Sequence, residues 1–526
     1  MTSPLTPAPL LPQILLPEDA NTQLPPAIAS AATPTQQLTE LPRPLLHARR
    51  LLSHSRKLRV LVLSSDTGGG HKASAAALRA ALQHLHPGQV HIDVVDFWVE
   101  LASGPFRRFP AQYTFLAKRP ALWKFTYEFA RFPPFRAVTE CYFNTLAHKN
   151  VRSAFIKYQP DLVISVHPLV NTLSLHVLNR IANETYIPRP PFVTVVTDLG
   201  GAHPTWFHRG ADMVYVPTPD VARLAHRVGV PDSQVKTVGL PVRQQFWTGE
   251  RSKSQLREKL GMLPDAPAVL LIGGGDGVGA LRSIATTLAH QLPRKLGTPH
   301  LQLIVICGKN EQLRDSLASE TWQCHMIPLG YVNNMSEWMA ASDIMCTKAG
   351  PGTIAEALIR GLPMIITAFL PGQEEANVRY VEQQRVGVFA KKPRKIAAVA
   401  AQWLSQPHQL FEMSQRAIQC GRPDASIQIA NDIVRVAKDK IMENITEMER
   451  RRQVTAASVA LRRYLPDMPV LTHDSKESHL LLRVRFLLKV VTGSMIAQRA
   501  FGQGLTPPSS PVERPLIEDT PSGEEQ

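Results

Sequence analysis

Long apolar runs are missing from this sequence. Its 526 residues include no stretch of about 20 uncharged apolar residues, the length that a membrane-spanning helix needs. Cysteine is scarce as well, and no two cysteines form a C-x-x-C pair. The five cysteines are Cys141, Cys307, Cys324, Cys346 and Cys420. A scattered, odd-numbered set indicates reduced thiols in a reducing compartment and disfavours a disulfide framework or a zinc site.

Acidic residues are too few to balance the basic ones. The chain has 43 Asp and Glu against 58 Lys and Arg, a net charge of +15 with histidine neutral. Such an excess indicates an anionic partner, and lipid, nucleic acid or a phosphorylated substrate would each fit. Nucleic acid is disfavoured because the sequence has neither zinc fingers nor aromatic RNA-binding runs. A hydrophobic content of 44% and a charged content of 19% are typical of a soluble globular protein.

The chain is long enough for two or three domains. Residues 1–56 are rich in Pro, Ala, Thr and Leu and show little periodicity. They are interpreted as a disordered leader or as an organelle transit peptide, and both interpretations stay open. A secretory signal is disfavoured because no basic region precedes an apolar core.

From residue 57 onward, short apolar runs alternate with helical patterns. The predicted strands of the first series are Leu58–Ser64, Ile92–Asp96, Leu162–Val166, Phe192–Thr197, Met213–Val216 and Val235–Val238. A polar hinge at Val242–Ser254 separates them from a second series: Ala268–Ile272, Gln302–Cys307, Asp343–Thr347 and Met364–Thr367. This alternation predicts an α/β protein with two Rossmann-like domains facing a cleft. The predicted domains are 57–245 and 246–440, followed by a basic tail at 441–526.

A glycine-rich turn, Ser65–Ser74, links the first predicted strand to a predicted helix at Ala73–Leu85. Glycines at such a junction let the backbone approach a ligand, and the helix N-terminus favours anionic groups. His71 falls on the first helical turn, where an imidazole can act as a general base. Asp66 or Asp198, both near strand ends, could orient its ring, and the sequence does not choose between them. A turn with a capping histidine is the structural alternative.

A second glycine-rich loop, Leu271–Ala280, formally matches a dinucleotide-binding fingerprint. That fingerprint expects an acidic residue about 20 positions later, which would hold the ribose. No Asp or Glu occurs between Ala280 and Glu311, so the sequence argues against a dehydrogenase. Gly274 and Gly275 of this loop are candidate residues for binding a nucleotide-linked donor.

The most specific motif is Thr347–Leu358. A strand is predicted to end at its first residue, Gly350 and Gly352 form a small-residue loop, and Thr353 is expected to open a helix. The N–H groups of such a helix N-terminus can cradle a diphosphate. Glu356 lies three residues after Thr353, and its carboxylate could accept both hydroxyls of a ribose. A capping box explains the same spacing structurally.

A polar stretch, Pro371–Asn377, follows the next predicted strand. It contains Gln373, Glu374 and Asn377, whose amide and carboxylate groups can hydrogen-bond sugar hydroxyls. Each good contact of this kind contributes on the order of 1 kcal/mol. A polar surface loop is the alternative interpretation.

Taken together, these motifs resemble those of the monogalactosyldiacylglycerol synthases, which are related more distantly to bacterial MurG-type transferases. Three further motifs share the resemblance: His203–His208, Gly239–Arg243 and Gly361–Pro363. The likeness runs from about Leu58 to about Lys438. This sequence departs from the plant pattern at Gly200–Ala202, at Ala368–Leu370 and in its long C-terminal tail.

The resemblance implies a GT-B fold and an inverting, metal-independent transfer of a hexose from a UDP-sugar to diacylglycerol. By position, His71 resembles the general base, Glu356 the ribose contact and Thr353 a diphosphate contact. Gln373 and Glu374 resemble contacts to the donor sugar. On the acceptor or lipid side, the candidates are Pro105 and Trp206.

No cofactor and no metal are expected. The chain lacks the Asp-x-Asp pair with which many other transferases hold a divalent ion on the diphosphate. His203 and His208 have no further Cys or His cluster beside them, so a zinc site is disfavoured.

Aromatic, proline and basic residues alternate between Phe97 and Trp123, which predicts a segment that enters the lipid headgroup region. A core helix with a basic rim is the alternative. In the tail, Leu480–Lys489 is cationic and too interrupted to span a bilayer, which leaves an interfacial helix or packing on the body open.

The expected partners are a UDP-hexose, diacylglycerol and anionic membrane lipids, without nucleic acid; a homodimer is compatible with the sequence. Peripheral attachment is expected at a plastid envelope, or at the cytoplasmic membrane face in a bacterium. Galactose is the expected hexose, with glucose as the alternative. A GT-B transferase or epimerase acting on a soluble substrate is the second alternative.

Overall fold

The computed structural model describes residues 57–67, 70–102, 104–249, 252–273 and 280–461; the side chains of residues 105 and 454–461 lie outside that description. Two six-stranded sheets form its framework, and all of their strand pairs are parallel. The predicted α/β class is therefore confirmed.

The first sheet has the strand order β2-β1-β3-β4-β5-β6. Its strands are β1 Leu58–Ser64, β2 Val90–Asp96, β3 Leu162–Ser165, β4 Phe192–Val195, β5 Met213–Val216 and β6 Val235–Thr237. The helices between them are α1 Gly70–Leu85, α2 Phe109–Ala117, α3 Pro120–Arg131, α4 Pro133–Tyr158, α5 Asn171–Thr185 and α6 Pro219–Val228. Short helical turns span Phe97–Ala102, Gly104–Arg108, Pro168–Val170, Pro204–Trp206, Asp232–Gln234 and Gln244–Phe246.

The second sheet has the order β12-β11-β10-β7-β8-β9. Its strands are β7 Ala268–Ile272, β8 Gln302–Ile306, β9 His325–Leu329, β10 Ile344–Lys348, β11 Met364–Ala368 and β12 Gly387–Phe389. Its helices are α7 Lys253–Lys259, α8 Leu281–Leu296, α9 Glu311–Ser319, α10 Met335–Ala341, α11 Pro351–Ile359, α12 Glu375–Gln383, α13 Pro393–Leu404 and α14 Pro407–Cys420. A long helix, α15 Ala425–Leu461, ends the described chain.

Each sheet is buried on both faces, which explains why its central strands are continuous apolar runs. Side chains alternate along β1: Val60 and Val62 pack on one side of the sheet, and Leu61 and Leu63 pack on the other. The sequence did not predict β9 and β12, which form the two edges of the second sheet. β9 is only partly buried and contains Pro328, and β12 has three residues, so neither has the apolar pattern of a central strand.

The last helix returns to the first domain. Ile429, Ile433 and Val434 of α15 are buried in the same apolar cluster as Val60 and Val62 of β1. The expected domain boundary at residue 440 therefore lies within a continuous helix whose buried face completes the core of the first domain. No helix in the described ranges combines the length and the hydropathy needed to cross a membrane.

Two crossings of the chain join the domains and lie side by side. Val242, at the start of the predicted hinge, donates its N–H to Ser426 Oγ at 2.8 Å, and Ser426 Oγ donates to the Val242 carbonyl at 2.8 Å. Gly239 has a φ of +125°, and a Cβ placed there would lie 2.8 Å from Arg422 Cβ. The carboxyl ends of the two sheets also meet, since the Gly200 N–H after β4 donates to Asn377 Oδ1 after β11 at 2.8 Å.

Candidate active site

His71 lies on the first turn of α1, the helix that follows β1, and its side chain is buried. Its Nδ1 atom lies 2.8 Å from the Val166 carbonyl oxygen and 3.0 Å from Thr197 Oγ1. Because a carbonyl only accepts hydrogen bonds, Nδ1 carries the proton and Nε2 keeps a free lone pair. The capping alternative is disfavoured because the ring bonds to Val166 and Thr197, just after β3 and β4, rather than to its own helix.

Burial lowers the pKa of His71 to about 4, and the hydrogen bond to the Val166 carbonyl opposes that shift. Two other rings lie close: the centroid of His167 is 4.8 Å away and that of Trp206 is 6.0 Å away. His71 is therefore neutral near pH 7, the state in which a histidine can accept a proton.

Neither predicted aspartate hydrogen-bonds to His71 in the described part of the chain. Asp66 is exposed and forms an ion pair with Lys72, at 2.7 Å. Asp198 is buried, and its Oδ2 accepts a hydrogen bond from Trp206 Nε1 at 2.7 Å. Neither Asp66 nor Asp198 orients the ring as expected, because the Val166 carbonyl already accepts the hydrogen bond from Nδ1.

His167 was not identified from the sequence. Its Nδ1 accepts from the backbone N–H of Leu169 at 3.3 Å, so its Nε2 carries the proton and donates to Thr67 Oγ1 at 3.1 Å. Burial, with His71 nearby, holds the pKa of His167 well below its usual value. The available signal was its position two residues after the end of β3, at the carboxyl edge of the sheet.

On the opposite side of the cleft, α11 begins at Pro351 with Gly350 as its N-cap, two residues earlier than expected. No side chain in the described part of the chain caps this end. A Cβ at Gly352 would meet no described atom within 4 Å, so the described residues leave space beside the first turn. The first N–H groups of a helix have no partner within the helix, so those of Gly352 and Thr353 can bind an anion here.

Glu356 is buried in α11 and forms a two-pronged ion pair with Arg243. Arg243 Nε donates to Oε1 and Arg243 Nη2 donates to Oε2, both at 2.7 Å. Burial raises the pKa of Glu356, while Arg243 favours the charged form. The capping-box alternative is wrong, because Thr353 is inside the helix and the carboxylate bonds to Arg243. Arg243 belongs to the Gly239–Arg243 motif, but no role was predicted for it from the sequence.

The loop after β11 brings Gln373 and Glu374 to the same cleft. Gln373 Oε1 is buried and has no hydrogen-bond partner among the described residues. Glu374 is also buried; its Oε2 accepts from the Leu370 N–H at 2.8 Å, and its Oε1 lies 3.5 Å from Lys348 Nζ. Lys348 is the exposed last residue of β10, so its positive charge lies close to the open N-terminus of α11.

Asn377 joins the two domains. Its Oδ1 accepts from the Gly200 N–H of the first domain at 2.8 Å, and its Nδ2 donates to the Ala349 carbonyl at 3.0 Å. Both ends of the amide are thus bonded to protein, which differs from the expected contact to a donor.

The remaining predicted site residues have different positions. Trp206 was expected to contact lipid directly, but it is fully buried. Its indole instead donates a hydrogen bond to Asp198. Pro105 lies in the turn Gly104–Arg108, and its side chain is outside the described set. Gly274 and Gly275 lie outside the described residues, as does the cationic stretch Leu480–Lys489.

No group of three or more His, Cys, Asp or Glu residues within the described ranges could hold a metal ion. His203 instead accepts the Thr205 N–H on Nδ1, and His208 accepts the Gly210 N–H in the same manner. Each histidine therefore stabilises a local turn.

Two known protein families match parts of this chain. A model of the monogalactosyldiacylglycerol (MGDG) synthase family matches residues 71–242, and one of the glycosyltransferase family 28 C-terminal domain matches residues 268–429. A probable chloroplastic monogalactosyldiacylglycerol synthase of Glycine max is 42% identical over 387 residues, 73% of this chain and 72% of that protein. The chloroplastic enzyme of Spinacia oleracea is 42% identical over 388 residues, 73% of each chain. This chain belongs to the monogalactosyldiacylglycerol synthase family.

The predicted family is thereby confirmed, as is the predicted glycosyltransferase with two facing α/β domains. Monogalactosyldiacylglycerol synthase 1 of Arabidopsis thaliana is 40% identical over 390 residues, 73% of this chain and 72% of that protein. Among solved structures, MurG of Acinetobacter baumannii has a TM-score of 0.49 at 15% identity, over 72% of this chain and 99% of MurG.

Proposed function

We propose that this member of the family transfers galactose from UDP-galactose to diacylglycerol at a membrane surface and inverts the anomeric centre. The observation that carries the proposal is that the two domains, which meet at the Gly200–Asn377 hydrogen bond, each supply one of two complementary groups. His71, with a free Nε2, belongs to the first domain, and the open N-terminus of α11 belongs to the second. An acceptor hydroxyl and a nucleotide leaving group need this separation.

In the first domain, His71 Nε2 accepts the proton of the acceptor hydroxyl as the oxygen attacks the anomeric carbon. The Val166 carbonyl fixes the tautomer, and Thr197 Oγ1 holds the same nitrogen. The new C–O bond forms on the face opposite the departing UDP, which inverts the configuration.

In the second domain, the negative charge of the departing diphosphate meets the N–H groups of Gly352 and Thr353 and the exposed cation of Lys348. Glu356 accepts the ribose hydroxyls, and Arg243 keeps its carboxylate ionised and oriented. Two hydrogen bonds from Arg243 leave carboxylate lone pairs available to these hydroxyls.

We propose that these groups take the place of a divalent cation. If so, activity in excess EDTA equals activity in added magnesium. A metal-dependent rate, restored by titrating the cation back, would contradict this part of the proposal.

An anionic membrane is the proposed surface of attachment. Residues 104–131 contain six basic residues and one acidic residue. On α2 and α3, large apolar side chains are exposed: Phe115, Leu122, Phe125 and Phe129. Exposed apolar groups beside cations suit the headgroup region of an anionic leaflet. The first part of the predicted lipid segment differs, because Phe97 and Trp98 are buried in the core.

Since the relatives above are named chloroplastic, the plastid envelope is the proposed location. Fractionation of isolated plastids, with extraction of the chain by salt or alkaline wash, checks peripheral attachment there. The homodimer remains a prediction, which light scattering on the purified chain would check.

The assay that tests the activity uses purified chain, diacylglycerol vesicles and labelled UDP-galactose or UDP-glucose. Galactose transfer with a β-linked product is expected. His71→Ala should lower turnover roughly 10²–10⁴-fold and leave UDP affinity unchanged, because the base does not contact the nucleotide. His84→Ala, which removes a histidine at the opposite end of α1, is the matched control. Near wild-type turnover of His71→Ala would overturn the assignment of the base.

A further inference from the structure

Among the described residues, two buried polar atoms around the cleft have no hydrogen-bond partner: Trp123 Nε1 and Gln373 Oε1. A third, His203 Nε2, lies near the backbone of Tyr127 but makes no hydrogen bond of good geometry. Buried polar groups are almost always paired, and each one left unpaired costs free energy. The three residues come from three separate parts of the chain: helix α3, the loop after β4 and the loop after β11. Such a set indicates a ligand that supplies the missing partners.

Tyr127 holds these three residues together. Its ring centroid is 6.1 Å from that of Trp123 and 5.0 Å from that of His203. It also packs on the backbone beside Gln373, because a Cβ at Gly372 would lie only 2.8 Å from the Tyr127 ring. Gly372 has a φ of +81°, so glycine suits both this conformation and the contact.

The chemistry of the three atoms is defined. An indole N–H only donates. His203 Nδ1 accepts the Thr205 N–H, so His203 Nε2 carries the proton and is a donor as well. Gln373 Oε1 only accepts. The complementary ligand must therefore offer at least two acceptors and one donor within a small volume, as a polyhydroxylated ring does.

Tyr113 extends the wall toward Glu374. Its ring meets that of Trp123 at right angles, with centroids 5.0 Å apart. Burial raises the pKa of Tyr113, and Glu374 and Asp198 add to the rise. The inner faces of α2 and α3 therefore face the loop that carries Gln373 and Glu374, while Phe125 on the outer face is exposed.

We propose that Trp123 and His203 bind the hexose of the donor together with Gln373, so that the lipid-facing helices α2 and α3 form one wall of the sugar site. This inference rests on the proposed function. It adds two hydrogen-bond donors from the first domain to the sugar contacts of the second domain. The hexose is favoured over the acceptor because Tyr127 packs on the Gly372–Gln373 backbone, within the loop after β11 that carries the expected donor-sugar contacts. The sugar site is then complete only when α2 and α3 pack against the loop after β11.

Calorimetry without acceptor tests the proposal, with UDP and UDP-galactose as the two probes. Trp123→Phe removes the indole N–H and keeps an aromatic ring against Tyr113 and Tyr127. It should weaken UDP-galactose roughly twofold to tenfold, the value of one hydrogen bond, and leave UDP unchanged. Trp322→Phe is the matched control. Trp322 Nε1 donates to the Leu317 carbonyl in the second domain, near the β9 edge of the sheet and away from the loop after β11.

A second variant, His203→Ala, should show the same separation between the two probes, and vesicle binding of both variants should equal that of the wild type. Equal affinity of Trp123→Phe and wild type for UDP-galactose would overturn the inference. So would an increased KM for diacylglycerol alone, which would assign Trp123 to the acceptor. If the wild type bound neither probe, the proposed function itself would fail.

Discussion

Asp198 is a buried carboxyl group whose pKa differs between the folded and the unfolded chain. It is buried beside Trp206, and burial raises its pKa to about 7, with Glu374 adding to the rise and the Trp206 hydrogen bond opposing it. Between its ordinary value of 3.8 and about 7, the folded chain holds a proton that the unfolded chain has released. The free energy of unfolding therefore decreases as the pH rises through this window and stays lower above it.

Replacing Asp198 by asparagine should remove this penalty, because the amide stays neutral and its oxygen still accepts from Trp206. We expect Asp198→Asn to melt at a higher temperature than wild type at about pH 8, with a smaller difference at about pH 5. Thermal unfolding at both pH values measures this. A Tm difference that does not change with pH would show that Asp198 does not titrate in this window.

Glu356 and Gln373 should separate the two halves of the donor. Glu356→Ala removes a charged acceptor of ribose hydroxyls, so UDP itself should bind roughly tenfold or more weakly. Gln373→Ala should weaken UDP-galactose and leave UDP nearly unchanged. Calorimetry with both ligands decides, and equal UDP affinity for Glu356→Ala and wild type would disprove the ribose contact.

At the scale of the element, α3 has two faces with different partners. Phe125 and Phe129 are one helical turn apart, exposed and stacked with centroids 5.6 Å apart. Trp123 and Tyr127, on the other side, contact the cleft. One helix can thus connect the membrane to the sugar site.

The double change of Phe125→Ser and Phe129→Ser should reduce vesicle binding by more than roughly tenfold, since each buried phenylalanine contributes about 1.5–3 kcal/mol. Sedimentation with anionic vesicles measures it, and Phe411→Ser on α14 of the second domain is the control. The remaining binding should decrease as salt rises, because exposed charges are screened over about 8 Å at physiological salt. Equal binding to neutral and anionic vesicles at every salt concentration would contradict the electrostatic contribution.

At the scale of the whole molecule, glycine allows the domains to touch. A Cβ at Gly200 would lie 2.2 Å from the Ala376 carbonyl oxygen, and one at Gly201 would lie 2.8 Å from Ala376 Cβ. The departure from the plant pattern at Gly200–Ala202 is therefore located at the domain contact, beside the hydrogen bond to Asn377.

Gly200→Ala should hold the cleft open and separate His71 from the donor. Turnover is expected to fall by up to roughly 10²-fold, the effect of about 1 Å of misplacement, while UDP affinity is unchanged. Gly249→Ala is the control, because its Cβ would meet nothing within 4 Å. Small-angle scattering should detect a larger radius of gyration for Gly200→Ala. Wild-type turnover in this variant would show that the contact is not needed for closure.

The elements that the sequence predicted are those whose pattern is local. β1 is a continuous apolar run because both faces of a parallel sheet are buried, and the glycine turn after it led directly to His71. Glu356 was found in the same way, from a strand, a small-residue loop and a helix. β9 and β12 were missed because an edge strand is short or half exposed.

Tertiary structure decided which side chains meet. The Val166 carbonyl that fixes His71 is 95 residues away in sequence, and Arg243, which holds Glu356, is 113 residues away. Asn377 was expected at the donor and instead bonds to Gly200, 177 residues distant. Local pattern reports the period and the ends of an element. These contacts depend instead on how the twelve strands of the described ranges and the two domains are ordered in space, which no short stretch of sequence specifies.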